Sequence, residues 1–481
     1  MSRIPSILAI TSLLCGAMLA GCRRGPVVIA QTQGSGNSSV VLAMTDTPPS
    51  TVTILSATVK LTGATLNPGS VPLFSGSTTV DLIRLQTDIA YIATATKVAA
   101  GSFTSVTLTF ANPMLTIEND TGNSIVSGAT TCTNGSICTI APTSVANLSA
   151  TIPLTSFSIA ANSTTGLLID VNLDNLLSAS LGADFSAGTT VTPFIPAGFG
   201  APPVGAEDVV GQVETVTVSN NTFTLTNATG SYSLKADSTS TFFSSSVCTT
   251  AGFSCLKSGQ ILSVDIGIQS DGSLLARNIL FEDSDSTDAE IEGMITSTNV
   301  GSQQFNIVIQ TMSAPSTSAS ISGLSIGEPI TVQYFASPQT PFDIDLVHVD
   351  NTQVSTSGFL FATPADLAVG QQVSIRLHSI LSAGKIMADR VQLRSSRITA
   401  TVQSGGSNIL IIDLPSLFFG HGGITQITAQ TSIFPPTIYF EIGKTIIPSD
   451  IGPPDLVSVR GPLFNVSGAR TLLATKVVLK P

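Results

Sequence analysis

Three segments of this 481-residue chain follow one pattern: a strand, a tight turn, then a second strand with alanine in a fixed place. The first holds Gly259-Gln-Ile-Leu-Ser-Val264, Asp271-Gly272 and Leu275-Ala-Arg-Asn-Ile-Leu280. The second holds Gly370-Gln-Gln-Val-Ser-Ile375, Ala383-Gly384 and Met387-Ala-Asp-Arg-Val-Gln-Leu393. The third holds Leu456-Val-Ser-Val459, Ser467-Gly468 and Leu473-Ala-Thr-Lys-Val-Val-Leu479. A hairpin precedes each, for example over 213–226 and 398–413. Repetition constrains a fold strongly, because every copy must be the same supersecondary unit burying the same face. The spacing predicts β units over 209–283, over an expanded 289–394, and over 397–480.

The chain before the repeats carries the same two-residue period. In 102–110, Val106, Leu108 and Phe110 share one face while Thr107 and Thr109 share the other, as a half-buried strand requires. Val40-Val-Leu-Ala-Met-Thr45 reads as an opening strand, stopped at Asp46-Thr-Pro-Pro49 because proline cannot donate to a ladder. Residues 51–61 and 167–173 also alternate, and Asp170, Asn172 and Asp174 fall on one solvent-facing side. Antiparallel strands with one wet and one dry face predict a β-sandwich over 39–196. Pro and Gly cluster between Ile195 and Gly205, which predicts a linker over 197–208. The expected fold class is all-β: an N-terminal β-sandwich followed by about three small β-barrel-like or sandwich-like repeats.

Leu42-Ala-Met-Thr-Asp46 with Pro48, Val80-Asp-Leu-Ile-Arg-Leu85, Val98-Ala-Ala-Gly-Ser-Phe103 and Leu168-Ile-Asp-Val-Asn-Leu-Asp174 occur in this order. Together they resemble a family of β-sandwich domains found near the N-terminus of bacterial lipoproteins. The Val-Ala-Ala-Gly-Ser-Phe element also looks like a turn of carboxypeptidase-regulatory-type sandwiches. The repeats resemble a second family of small β-domains, often tandem in envelope proteins. Neither resemblance implies an activity; both bear on fold.

Residues 1–21 are expected to be a lipoprotein signal peptide. Arg3 precedes an uncharged apolar stretch over 4–20, and Leu19-Ala20-Gly21-Cys22 matches a lipobox. Such a stretch is too short to be retained as a spanning helix. The expected attachment is therefore lipid on Cys22, with 22–38 as a flexible tether to the membrane. Arg23 rather than Asp after the lipidated cysteine favours the outer membrane, on its periplasmic face or at the cell surface. Cys132 with Cys138 and Cys248 with Cys255 are expected as local disulfides, since an exported chain oxidises its thiols. Neither pair has the spacing of a zinc knuckle or of Cys-x-x-Cys.

Nineteen Lys and Arg against 30 Asp and Glu exclude nucleic acid as a partner. His348 and His378 sit in strand-like runs, where a wet strand face accounts for them, and His421 sits in a turn-like Phe419-Gly-His-Gly-Gly423. That string resembles an oxyanion-hole loop, but no Gly-x-Ser-x-Gly elbow accompanies it. The acidic run from Glu282 to Glu290 fails the EF-hand pattern, so it is expected as a solvated linker, with a loose calcium site as the sharper reading. The Asp170/Asp174 pair has the chemistry for glycoside hydrolysis, but the chain has no Trp and only four Tyr to stack on sugar. The expectation is no catalytic residue, no metal and no cofactor. The chain reads as a lipid-anchored, non-enzymatic scaffold, spacer or protein-binding module for an envelope protein. Surface carbohydrate binding is the alternative, and a hydrolase of unknown substrate the third.

Overall fold

The computed structural model describes residues 36–47, 53–197, 205–227, 229–239, 241–244, 252–282, 289–314, 321–349, 351–406, 408–441 and 444–480. Alternation in the N-terminal unit puts two sheets face to face. One runs Thr189–Phe194, Thr164–Asn172, Ser38–Thr47, Ala90–Val98. The other runs Ser149–Ile159, Gly101–Glu118, Ile54–Asn67, Val71–Asp81. Leu42, Met44, Leu167 and Ile169 meet Val106, Leu108 and Phe110 in the core between them. The opening strand is buried on both sides, because Val41, Ala43 and Leu168 pack outward onto the next domain. Double burial explains why that strand is a continuous apolar run. It pairs in parallel with Thr164–Asn172, where antiparallel pairing was expected. The two strands come from distant parts of the chain, so no hairpin imposes the antiparallel sense.

Each repeat is a closed five-stranded barrel. The first uses Gly205–Thr217, Thr222–Asn227, Gly230–Ala236, Ile261–Ile268 and Leu274–Phe281. The second uses Ala289–Asn299, Gln304–Ser313, Pro329–Tyr334, Gln372–Ser382 and the first half of Lys385–Ser404. The third uses the second half of Lys385–Ser404, then Asn408–Ile412, Ile427–Thr431, Leu456–Val466 and Ala469–Ala474, extended by Lys476–Leu479. In all three, strand one pairs with strands two and four, and a parallel pairing of three with five closes the ring. This is the Greek-key order of an OB-type barrel.

Two boundaries differ from those expected. Residues 205–208, expected in a linker, begin the first barrel's opening strand. Lys385–Ser404 runs unbroken from one barrel into the next: Arg394 still pairs with Gln372, while Ser395 pairs with Pro462. Barrels two and three therefore share a strand.

The alanine that marks each copy sits beside a recurrent turn. Thr241, Thr340 and Thr437 each donate a hydroxyl to the carbonyl of Ala276, Ala388 and Ala474, at 2.6, 3.1 and 2.7 Å. Each threonine also accepts from the first N–H of its own turn, that of Asp237, Phe335 or Ser432. The turn then leads into a short strand (Phe242–Ser244, Phe342–Ile344 or Ile438–Glu441) parallel to strand five. The three alanines are buried inside their barrels, so a small side chain is required there. Thr340→Val keeps the shape but removes both hydrogen bonds, and should cost about 1–3 kcal/mol in urea unfolding. An unchanged midpoint would show that this turn does not support the barrel.

Candidate functional site

The same four strand positions in every barrel point outward, towards the neighbouring domains. On strand four they are Asp265, Arg376 and Arg460, each two residues after a buried serine (Ser263, Ser374, Ser458). The register fixes the equivalence: those serines lie opposite Val210, Glu292 and Thr399 on strand one. Two residues before these come Asp208, Glu290 and Arg397. On strand five the matching positions are Asn278, Arg390 and Lys476, then Glu282, Arg394 and Lys480. The charges sort by barrel. The first supplies acids, the third supplies bases, and the second supplies both.

Docking brings these faces together. Arg394, fully buried, reaches out of the second barrel to Glu282 at 2.5 Å and Ser263 at 2.6 Å in the first, and to Asp345 of its own barrel at 2.7 Å. Arg460 and Arg397 of the third barrel lie in register on adjacent strands, with Lys476 beyond Arg460. Three like charges side by side are destabilising unless countered. Asp88 of the sandwich counters them, 2.7 Å from Arg397 and 2.8 Å from Lys476, while Glu207 and Asp208 of the first barrel hold Arg460. Arg84 of the sandwich completes the set at 2.6 Å from Glu292. Glu282 and Glu290, expected as part of a solvated acidic linker, are instead both buried, and Glu290 accepts from Ser374. The segment 283–288 between them lies outside the described residues.

Electrostatics follow from this geometry. Burial alone would raise the Asp88 carboxyl, but Lys476, Arg460 and Arg397 hold it well below the usual carboxylate range. Asp208 is likewise held low against burial, by His348 and then by Arg394 and Arg397. Glu290 goes the other way: burial, with Glu282 adding to it, pushes its carboxyl up to about 8.

His348 corrects an expectation. It lies in a turn rather than on a strand, largely buried, with Nε2 3.3 Å from both Asp208 and Asp265. These three offer ligand atoms within 4.8 Å of one another, a spacing that suits a metal ion. Their surroundings favour a proton instead. The Asp208 carboxylate is already bound by Arg460, and Asp265 accepts from the Asp208 N–H and from Asn278. Although burial disfavours the charged ring, the two carboxylates raise the His348 pKa well above its ordinary value. An imidazolium thus supplies the positive charge that a metal would otherwise bring.

The remaining candidates are dispersed. His378 is half-exposed on its strand, 2.9 Å from Asp389. His421 belongs to the short helix Ser416–Gly422 and not to a loop, because the turn closes into helical backbone. Asp170 is not solvent-facing; it accepts from Thr47 and is mostly covered, whereas Asp174 is exposed in the helical turn Leu173–Leu176. Cys132 and Cys138 form a disulfide with Cα atoms 5.8 Å apart. Cys255 is disulfide-bonded too. Cys248 and Cys22 lie outside the described residues. No family profile and no curated protein matches this chain.

The junction was missed in the sequence, though it left a signal there. Arg376, Arg394 and Arg460 lie on strands with many apolar positions, and an arginine buried there needs carboxylates to pair with.

Two variants test this account. Asp88→Asn leaves Arg397 and Lys476 without their shared carboxylate, and should cost about 3–5 kcal/mol in urea unfolding near neutral pH. Because the folded pKa of Asp88 is depressed, its contribution is present above the unfolded value and fades only as pH falls towards the folded one. Glu290→Gln should act oppositely. With a folded value of about 8, above the unfolded one, Glu290 makes the wild type lose stability as pH rises between the two. The Tm advantage of Glu290→Gln should therefore be larger at pH 8 than at pH 5. An equal difference at both would mean that Glu290 is ionised in the folded protein.

Proposed function

We propose that this chain is a lipid-anchored envelope lipoprotein whose body is a non-enzymatic scaffold or protein-binding module. The observation that supports this most is the junction. Side chains with catalytic chemistry, His348 and the buried carboxylates among them, are engaged in holding four domains together. The outward face of barrel strands one to three bears hydroxyls and amides bonded to one another, as in Thr215 with Thr224 and Asn306 with Ser297 and Thr331. Such a face lacks the aromatic and basic platform of OB-type nucleic-acid binders. Among the described residues no helix is long and apolar enough to cross a membrane. In this reading the attachment is lipid on Cys22 of the lipobox, which the resemblance of residues 39–196 to lipoprotein sandwich domains supports.

A glycan-binding reading has one specific observation in its favour. Phe242, Phe243 and Phe253 line an open cleft of 430 Å³ on the first barrel with Asn221 and Asp237, and Phe242 is 59% exposed. Aromatic faces beside polar groups are what a sugar ring stacks on.

Cell fractionation with palmitate labelling tests the leading proposal. The wild type should label and sediment with outer membranes, and Cys22→Ala should be unlabelled and soluble. A soluble, unlabelled wild type would overturn the anchor. Amine-reactive crosslinking in the same cells should capture an envelope protein through exposed Lys97, Lys235, Lys257 or Lys444. Lys476 is buried in the junction and offers no such handle. Capture of polysaccharide alone, lost in Phe242→Ala, would favour the glycan reading.

A further inference from the structure

The threonine turn that marks each barrel differs between copies at its tip. Ser238-Thr239-Ser240 fill it in the first barrel, and Ala336-Ser337-Pro338-Gln339 in the second. The third carries Ile433-Phe434-Pro435-Pro436, with Ile433 72% and Phe434 75% exposed. All three turns close through the same threonine bonds, so the turn itself does not require an apolar tip. Two more exposed isoleucines stand at its foot. Ile446 N–H donates to the Tyr439 carbonyl and Phe440 lies opposite Thr445, a register that sets Ile438 opposite Ile447. A single exposed apolar side chain needs no explanation, but four on one small barrel do.

Little in this tip resists leaving water. No Asp, Glu, Lys or Arg occurs from Gly423 to Phe440, so covering the tip strands no charge of its own. Proline at 435 and 436 removes two N–H groups. Those of Ser432, Ile433 and Thr437 are already bonded, at 2.7, 3.1 and 3.3 Å. Backbone donors satisfied in this way are what an apolar medium demands. The tip is also held in place. Gln353, buried in the short helix Asn351–Thr356 of barrel two, accepts from the Ile433 N–H and donates to the Thr431 carbonyl at 2.9 Å. A preformed tip loses little freedom when it is covered.

We propose that this tip is a membrane-contact site: Ile433 and Phe434 enter the boundary between lipid headgroups and acyl chains, and barrel three lies against the bilayer. The inference rests on the lipid anchor proposed above. From Cys22 to Gly36 the chain spans at most about 50 Å, which holds the body near the membrane without fixing the face that meets it. A rigid, uncharged apolar projection then sets the orientation, as an interfacial segment does. A groove on a protein could take the same residues, but the anchor makes the bilayer the apolar surface that this body always has within reach.

The chain has no Trp, so Phe434→Trp places a single fluorophore at the tip. The lipidated variant is reconstituted on vesicles of phosphatidylethanolamine and phosphatidylglycerol, with and without brominated acyl chains. Its emission should be blue-shifted, and quenched roughly twofold or more by the brominated lipid. Phe242→Trp, at the exposed cleft of barrel one, should stay unquenched. Adding Ile433→Ser to Phe434→Trp should weaken the quenching. Equal quenching at both positions would show adsorption without orientation and overturn the proposal. An unquenched Phe434→Trp on protein that sediments with the vesicles would overturn the tip and leave the anchor standing. Protein whose Cys22 carries no acyl mass removes the anchor, and this inference with it. Shielding of the fluorophore in cell envelopes but not on protein-free vesicles would assign the tip to a protein groove instead.

Discussion

Burying a guanidinium is the constraint on which this architecture depends. Arg394 has no contact with solvent, and its nearest carboxylate, Glu282, belongs to a different barrel. Burying such a charge without partners costs several kcal/mol, and Glu282 of the docked first barrel joins Asp345 of the second in pairing with it. The row Arg397, Arg460 and Lys476 poses the same problem for barrel three, and Asp88, Glu207 and Asp208 answer it from two other domains. Apolar contact reinforces the arrangement: Leu55 of the sandwich, Val308 and Val369 of barrel two and Leu417 of barrel three form one small cluster. The domains form a joined body rather than a string of independent beads.

This bears on what such a body is for. One barrel repeated three times has kept its backbone and turn chemistry, while the four strand positions at the junction have diverged into acid, mixed and basic sets. Complementary sets give each barrel a preferred neighbour, since the wrong pairing would put like charges together without water. The ionisable groups thus specify assembly within the chain. A rigid platform of this kind suits presentation of a binding surface better than a flexible spacer does.

Local pattern carried much of the fold. Alternation in Val106, Leu108 and Phe110, the turn glycines and the recurring alanine depend on nearest neighbours in the chain, and they read through to strands, hairpins and barrels. Boundaries read less well. The strand Lys385–Ser404 serves two barrels, and nothing in its own residues says that the ladder changes partner after Arg394. For His348, Asp170, Glu282 and Glu290 the local sequence points to water, because polar side chains on a strand or in a loop usually face it. Each is instead largely covered, and His348 and Glu282 are held by residues of another domain.

The sequence by itself determined the secondary structure, the threefold repeat and the identity of every charge, because side-chain period and turn propensity are local properties. Only the tertiary structure decided which charges are paired, and that His348, Arg394 and Lys480 lie away from water. Pairing depends on how faces dock across hundreds of residues, and burial, which sets the strength of each charge interaction, is a property of the packed assembly and not of any segment.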